Sequence, residues 1–320
     1  MTPVLIGQLL GLGFACGLNL YMTVAVLGVL ARLGLIHEIP PGLRGLQGLI
    51  VIATAVALYL IEAVVDKVRH ADSLWDTIHT FIRPPAAALL AVGALWAMSL
   101  RARIAGAAFA FFVALAAHGT KAGLRVALNT EVRPRSNRWI SIGEDLAAAA
   151  FAIAALVYPT TALTAGGIVL LLVVLFGQRF WRAFALGLRC LAAWLRAFFA
   201  PARWREADEI PARLRAMIGP QPIGAAPLRG ARAAIHGVRT AGAFRNGWVL
   251  ITANGPVFLY RTLLGYRRID LPAPRHVEIE SGIWTDVLRI DADPTPYTLY
   301  MLKDGPSADL TVSELHFATP

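Results

Sequence analysis

Six stretches of about 20 mostly apolar residues, each long enough to cross a bilayer as a helix, crowd into the first 177 positions of this chain. They fall near 3–34, 46–65, 84–100, 104–128, 140–158 and 160–177. In hydrocarbon every backbone N–H and C=O must be satisfied within the protein, so such a chain is confined to a bundle of helices. Composition points the same way: 57% of the residues are hydrophobic and 16% are charged, against roughly 25% charged in ordinary soluble domains. An ordinary soluble enzyme is therefore disfavoured. The opening "MTPVLIGQLL" has no basic leader region, and its apolar run continues far beyond signal-peptide length, so it reads as a retained first membrane segment.

The formal net charge of +10 divides unevenly, with +4 over residues 1–176, +5 over 177–217 and +1 over 218–320. Three of the 30 basic residues are lysines (Lys67, Lys121 and Lys303), so arginine is the default cation here and carries little meaning alone. Cys16 and Cys190 are far apart in apolar surroundings and match neither a disulfide framework nor a metal spacing.

Six spans place both termini on one side of the membrane. With cytoplasmic termini the inner loops hold Lys67, Arg69, Arg83, Lys121, Arg125, Arg133, Arg135 and Arg138, and the outer loops hold Arg44, Arg101 and Arg103. The positive-inside rule then predicts a multi-pass protein of the bacterial cytoplasmic membrane with N- and C-termini cytoplasmic. Three spans lie on each side of residue 102, and "ACGLN" and "AHGTK" precede Ser73-x-x-Asp76 and Ser141-x-x-Glu144 in the two halves. An odd number of spans per half predicts two inverted three-helix repeats.

Beyond residue 177, Arg182, Arg189, Arg196 and Arg203 recur every seventh position beside Phe180, Trp181, Phe184, Trp194, Phe198 and Phe199. This predicts an amphipathic helix over 178–204 whose arginines meet anionic headgroups; solvated arginines on a helix packed against the bundle are the alternative. After Pro211, "WVLIT", "VFLYRT", "YRRIDL", "HVEIE", "DVLRID", "YTLYML" and "DLTVSEL" read as strands of a small soluble antiparallel β domain. The expected order is a transmembrane domain over 1–177, a basic interfacial helix and linker over 178–210, and the β domain over 211–320. The succession of strands resembles a bacterial pleckstrin-homology-like module, although no closing helix is evident in the sequence.

Ionisable residues at membrane depth need a partner or a wet cavity, and so are functional candidates. Glu62 and Asp66 stand four residues apart, with Lys67 next to them. Asp72, Asp76, His79 and Arg83 follow at intervals of four, three and four, which predicts one face of a polar helix too hydrophilic to span. His118, Lys121, Arg125 and Asn129 form a matching stripe, and Asn137, Ser141, Glu144 and Asp145 lie downstream. Gly11, Gly13 and Gly17 before Asn19 and Tyr21 predict a break or re-entrant bend in the first helix. Plainer roles remain open: helix capping for the two Ser-x-x-acid pairs, snorkelling to the interface for Lys121 and Arg125, and simple packing for His118. Asp72, Asp76 and His79 match no specific metal motif, which leaves a metal undecided.

The segments "ACGLNLYMTVAVLG", "IEAVVDKVRHADSLWDTIHTFIRPP", "HGTKAGLRVALN" and "SNRWISIGEDLAA", in that order over about residues 5–160, resemble the bacterial integral-membrane family catalogued as domain of unknown function 4126. That resemblance implies a polytopic membrane protein with Asn19, Tyr21, Asp66, Lys67, Asp76, His118, Lys121, Glu144 and Asp145 at the polar motif positions, and it implies no activity. No P-loop, dinucleotide fingerprint, zincin motif or nucleophile elbow occurs, and the basic residues suit a membrane surface better than nucleic acid.

The expectation is a membrane all-α six-helix bundle that acts as a transporter or channel for an ion or small polar solute. Its pathway would be lined by Asn19, Tyr21, Glu62, Asp66, Lys67, Asp72, Asp76, His79, His118, Lys121, Arg125, Glu144 and Asp145. No cofactor is expected, and the β domain is expected to regulate or to bind a protein partner. The alternatives are a membrane-embedded enzyme acting on a lipid or lipid-linked substrate, in which Asp76 and His79 supply acid–base chemistry, and a non-catalytic scaffold that carries the β domain.

Overall fold

The computed structural model describes residues 2–36, 39–65, 71–130, 136–220, 222 and 227–317, with side chains for all of these except 71–74, 126–130, 136–140 and 316–317. The chain divides into two compact units, Met1–Phe184 and Ala185–Pro320.

The first unit is helical. Helix α1 (Pro3–Arg32) is followed by a 3-10 turn (Pro41–Gln47) and then by α2 (Leu49–Val65), α3 (Ala71–His79), α4 (Arg83–Ala94), α5 (Leu100–Thr130), α6 (Ser136–Val157) and α7 (Pro159–Phe176). Helix α8 (Gln178–Ala197) crosses the division between the units. Within the first unit α1 is the central post, packed by α2, α4, α5, α6 and α7. Its glycines permit that crowding: a Cβ at Gly11 would lie 2.8 Å from the Ala155 Cβ, and one at Gly17 would lie 2.5 Å from the Ala114 carbonyl oxygen. Small residues that let backbones meet are the usual device where lipid supplies no hydrophobic drive between helices.

Among the described residues, three helices are long and apolar enough to cross a membrane: Pro3–Arg32, Leu100–Arg125 and Pro159–Phe176. A fourth is added if the 3-10 turn and α2, bent by 69°, count as one span. Much of α7 is unburied, with Leu171, Val174, Leu175 and Phe176 all exposed, as suits a helix facing lipid.

The helix at the expected third span, 84–100, is short. Twelve residues of α4 reach about 18 Å at 1.5 Å per residue, short of the roughly 30 Å hydrocarbon core. The chain turns after Ala94, and Ser99 then caps the start of α5 by accepting the Ala102 N–H at 3.4 Å. The expected continuous polar helix through Arg83 is corrected. Helix α3 stops at His79, turns follow, and Arg83 opens α4 with proline in its first turn.

The second unit holds β1 (Arg205–Glu206), α9 (Ala212–Ile218), β2 (Arg229–His236), β3 (Arg245–Thr252), β4 (Gly255–Thr262), β5 (Gly265–Asp270), β6 (Pro274–Ser281), β7 (Thr285–Ala292), β8 (Tyr297–Leu302) and α10 (Ala308–Phe317). One antiparallel sheet runs β5-β4-β3-β2-β8-β7-β6, with β1 on β2. Its main core is built around Ile235, Phe258, Leu288, Leu299 and Met301, with Ala308 and Leu315 of α10 against it. "DLTVSEL", expected as a strand, is helical. Ser307 accepts the Leu310 N–H at 3.3 Å, and the buried residues Ala308, Thr311 and Leu315 recur with helical period. Strand β2, "RGARAAIH", is an addition to the expected set: alanine is a poor strand former, but pairing on both sides, with β3 and β8, holds it extended. The expected helix over 178–204 ends at Ala197, which leaves Arg203 beyond it.

Candidate functional site

Helix α1 is interrupted at Asn19, whose backbone leaves the helical region at φ −150° and ψ 103°. The Asn19 side chain braces the break: its Oδ1 accepts the Met22 N–H at 3.0 Å and its Nδ2 donates to Asp145 Oδ1 at 2.9 Å. Just before the break, the carbonyls of Gly17 and Leu18 accept hydrogen bonds from cations. Arg83 Nη1 reaches them at 3.3 and 3.0 Å, and Lys121 Nζ reaches Leu18 at 2.8 Å. A glycine-rich helix with a polar residue at the break thus exposes acceptors at the centre of the bundle, the geometry by which interrupted membrane helices hold charge.

Around this point lies a buried cluster of charges. Glu62 Oε1 pairs with Arg83 Nη2 at 2.6 Å and faces Lys121 Nζ at 3.4 Å. Lys121 also faces Glu144 Oε2 at 3.3 Å, and Arg125 donates to the same oxygen at 3.0 Å. Asp76 stands 3.5 Å from Arg125 and 3.9 Å from Arg83. Arg83 is 0% exposed, Glu62 1%, Arg125 1% and Asp76 2%. Three cations therefore offset three carboxylates among the described residues. Without that balance, several kcal/mol of desolvation per ion would exclude them from the interior.

The balance is incomplete in hydrogen bonds. Both oxygens of Asp76 and Oε2 of Glu62 are buried without a hydrogen-bond donor among the described residues. Burial alone would push the Asp76 carboxyl up, but Arg125, Lys121 and Arg83 outweigh burial and hold it below the ordinary carboxylate range. Asp76 is therefore an anion with vacant acceptor capacity, and burying such oxygens unmatched is costly.

The two histidines are fixed by their partners. Arg83 Nη1 lies 3.1 Å from His118 Nδ1, and arginine can only donate, so Nδ1 accepts and Nε2 carries the proton, directed at the Asp76 carbonyl 2.8 Å away. Thr80 Oγ1 lies 3.1 Å from the same Nε2. His79 Nδ1 lies 2.7 Å from the Trp75 carbonyl and so donates, which leaves Nε2 to accept the Tyr21 hydroxyl at 2.8 Å. Burial, reinforced by Arg83, pushes the His79 imidazole below its ordinary value. The acceptor role of Nδ1 makes the His118 ring neutral.

Of the residues singled out in the sequence, Glu62, Asp76, His118, Lys121, Arg125 and Glu144 come together in one cluster. Tyr21 with His79, and Asn19 with Asp145, form two flanking pairs. Tyr59 donates to Asp145 Oδ2 at 3.0 Å. Asp66 and Lys67 lie outside the described residues, as do the side chains of Asp72, Ser73, Asn129 and Asn137. Snorkelling is overturned for Lys121 and Arg125, both buried. Capping is overturned for Ser141, which sits inside α6 rather than at its start. Arg83 shares the spacing of Asp72, Asp76 and His79 but is not among the expected pathway residues, and in the structure it ties Glu62, His118 and the α1 break together. The "RPP" at 83–85 is a second signal, since proline in the first turn fixes where α4 starts. Among the described residues, no group of three His, Cys, Asp or Glu side chains is placed so that it could hold a metal ion.

The arginines expected at a membrane surface divide. Arg196 pairs with Asp304 at 3.0 Å, and Arg203 forms a two-pronged pair with Glu209 at 2.7 Å. Arg189 is exposed and Arg182 half-buried.

Set against known proteins, residues 6–182 match the model of a family described as Domain of unknown function (DUF4126), which is more than half of the chain. No curated protein and no solved structure matches it.

Proposed function

The chain belongs to the DUF4126 family, and on that premise we propose that it is a multi-pass protein of the bacterial cytoplasmic membrane that passes an ion or small polar solute. The observation that carries this reading is the buried anion Asp76, with two unmatched oxygens, set among Arg83, Arg125 and the carbonyls of an interrupted helix. An assembly whose only task was to anchor other domains would gain more from apolar packing there.

In this reading the solute completes the hydrogen bonding that the protein leaves open. Asp76, His79 or Glu144 carries protons or meets a cationic group, while Lys121 and Arg125 hold an anionic group or balance the acids. The chain before residue 102 supplies Glu62, Asp76 and Arg83, and the chain after it supplies His118, Lys121, Arg125 and Glu144, as two inverted halves would around a shared site. Both termini are cytoplasmic, the exposed Arg189 of α8 meets anionic headgroups, and the β domain binds a partner or regulates passage.

The test is flux in liposomes. The purified protein is reconstituted with a pH-sensitive dye inside, and cations, anions and small zwitterions are presented in turn. Wild type should give solute-dependent flux, and folded Asp76→Asn and Lys121→Met should each lower it at least tenfold, the equivalent of about 1.4 kcal/mol. Flux that persists undiminished in both variants would end the proposal.

A further inference from the structure

The turn between β4 and β5 carries Leu263 and Leu264, which are 104% and 98% exposed. Thr262 pairs with Gly265 across the hairpin, so the two leucines alone form its tip. Two-residue hairpin turns are ordinarily built from glycine, asparagine or aspartate, and nothing in turn geometry asks for leucine. One exposed leucine needs no explanation, but two adjacent ones at an extremity form an apolar point that water disfavours.

The flanking residues say what would cover it. Arg261 and Arg267 stand one on each strand just behind the tip, both exposed, and neither has an ion-pair partner among the described residues. Arg261 is opposite Tyr266, and Arg267 is opposite Tyr260. Side chains alternate between sheet faces, so the two guanidinium groups leave from opposite faces and form a collar. At about 3.3 Å per residue they sit roughly 7–10 Å behind the leucines. That matches the approximate 5–10 Å depth at which apolar groups enter the boundary between headgroups and acyl chains. A protein partner would be expected to offer carboxylates to the collar and a pocket to the leucines; a bilayer offers both chemistries at the required spacing to any protein already bound to it.

We propose that the β4–β5 hairpin is a membrane-insertion tip, with Leu263 and Leu264 in the acyl boundary and Arg261 and Arg267 on anionic headgroups. The second unit thereby holds a lipid contact of its own.

The full-length protein tests this in nanodiscs. An environment-sensitive fluorophore is attached at Leu263→Cys, with Asn254→Cys as the control at the opposite end of β4; both native cysteines, Cys16 and Cys190, are buried. In discs containing phosphatidylglycerol, the label at 263 should shift to the blue, lose several-fold of its quenching by iodide, and be quenched by lipids brominated in the acyl chains. The label at 254 should remain open to iodide and unaffected by bromine. Adding Arg261→Gln and Arg267→Gln, or using phosphatidylcholine alone, should reduce the bromine quenching several-fold. A blue-shifted label that brominated lipid does not quench would place the tip against protein and overturn the proposal, as would a water-like label in every disc. Equal bromine quenching in neutral and anionic discs would overturn the headgroup role of the arginines.

Discussion

Arg83 is the side chain that links most members of the buried cluster. Its guanidinium serves Glu62, His118 and the carbonyls of Gly17 and Leu18 from a fully buried position. Arg83→Met leaves Glu62 with Lys121 alone, 3.4 Å away, and takes the cation from the Gly17 carbonyl; loss of one partner of a buried pair costs about 3–5 kcal/mol. A large fall in the thermal unfolding midpoint in detergent is expected. Arg83→Lys should recover only part of it, because a lysine has no planar fork with which to reach several acceptors. An unchanged midpoint in Arg83→Met would mean that the cluster is wet rather than buried. The stripe His118, Lys121 and Arg125 was legible in the sequence because all three lie on the uninterrupted α5, where spacing converts directly into one face. Arg83 was placed on the same face as Asp76 and His79 by the same rule, for the wrong reason. The helix breaks at residues 80–82, and Arg83 reaches the cluster from the start of the next one.

Elements are where local pattern and tertiary demand part company. The α1 break was readable because glycines and an asparagine in an apolar run have no better explanation. The shortness of α4 was not readable, since hydropathy continues past Ala94 while the backbone turns. Strand β2 was hidden by its alanines, and α10 by residues that also suit a strand, although Pro306 and Ser307 were a legible start signal. The packing of α1 yields its own expectation. A methyl group added at Gly17 would press on the Ala114 carbonyl, and overpacking of this kind costs about 1–3 kcal/mol. Gly17→Ala should lower the unfolding midpoint and, by shifting the Gly17 and Leu18 carbonyls, diminish flux as well. Gly143→Ala, with open space around its backbone, should do neither; equal effects at the two positions would sever the packing argument from the site.

For the whole molecule, the tally that sets orientation changes once Arg83, Lys121 and Arg125 are moved from loops to interior. The proposed cytoplasmic placement of the termini then rests on Lys67, Arg69, Arg133, Arg135 and Arg138 in the expected inner loops, against Arg44, Arg101 and Arg103 in the expected outer ones. A C-terminal green fluorescent protein fusion should fluoresce and an alkaline phosphatase fusion at the same point should be inactive; the reverse result would invert the topology. A last consequence follows from the sheet of the second unit, which ends at β5 on one side and β6 on the other. Open edges invite strand-by-strand zipping with neighbours, and domains tethered to a membrane meet one another far more often than domains free in solution. Both edges here carry deterrents. Strand β5 presents Arg267, Arg268 and Asp270, and β6 begins at Pro274, carries an irregular register before His276, and continues with Glu278 and Glu280. In the proposed membrane setting these deterrents would let neighbouring copies crowd together without their sheets fusing into fibres.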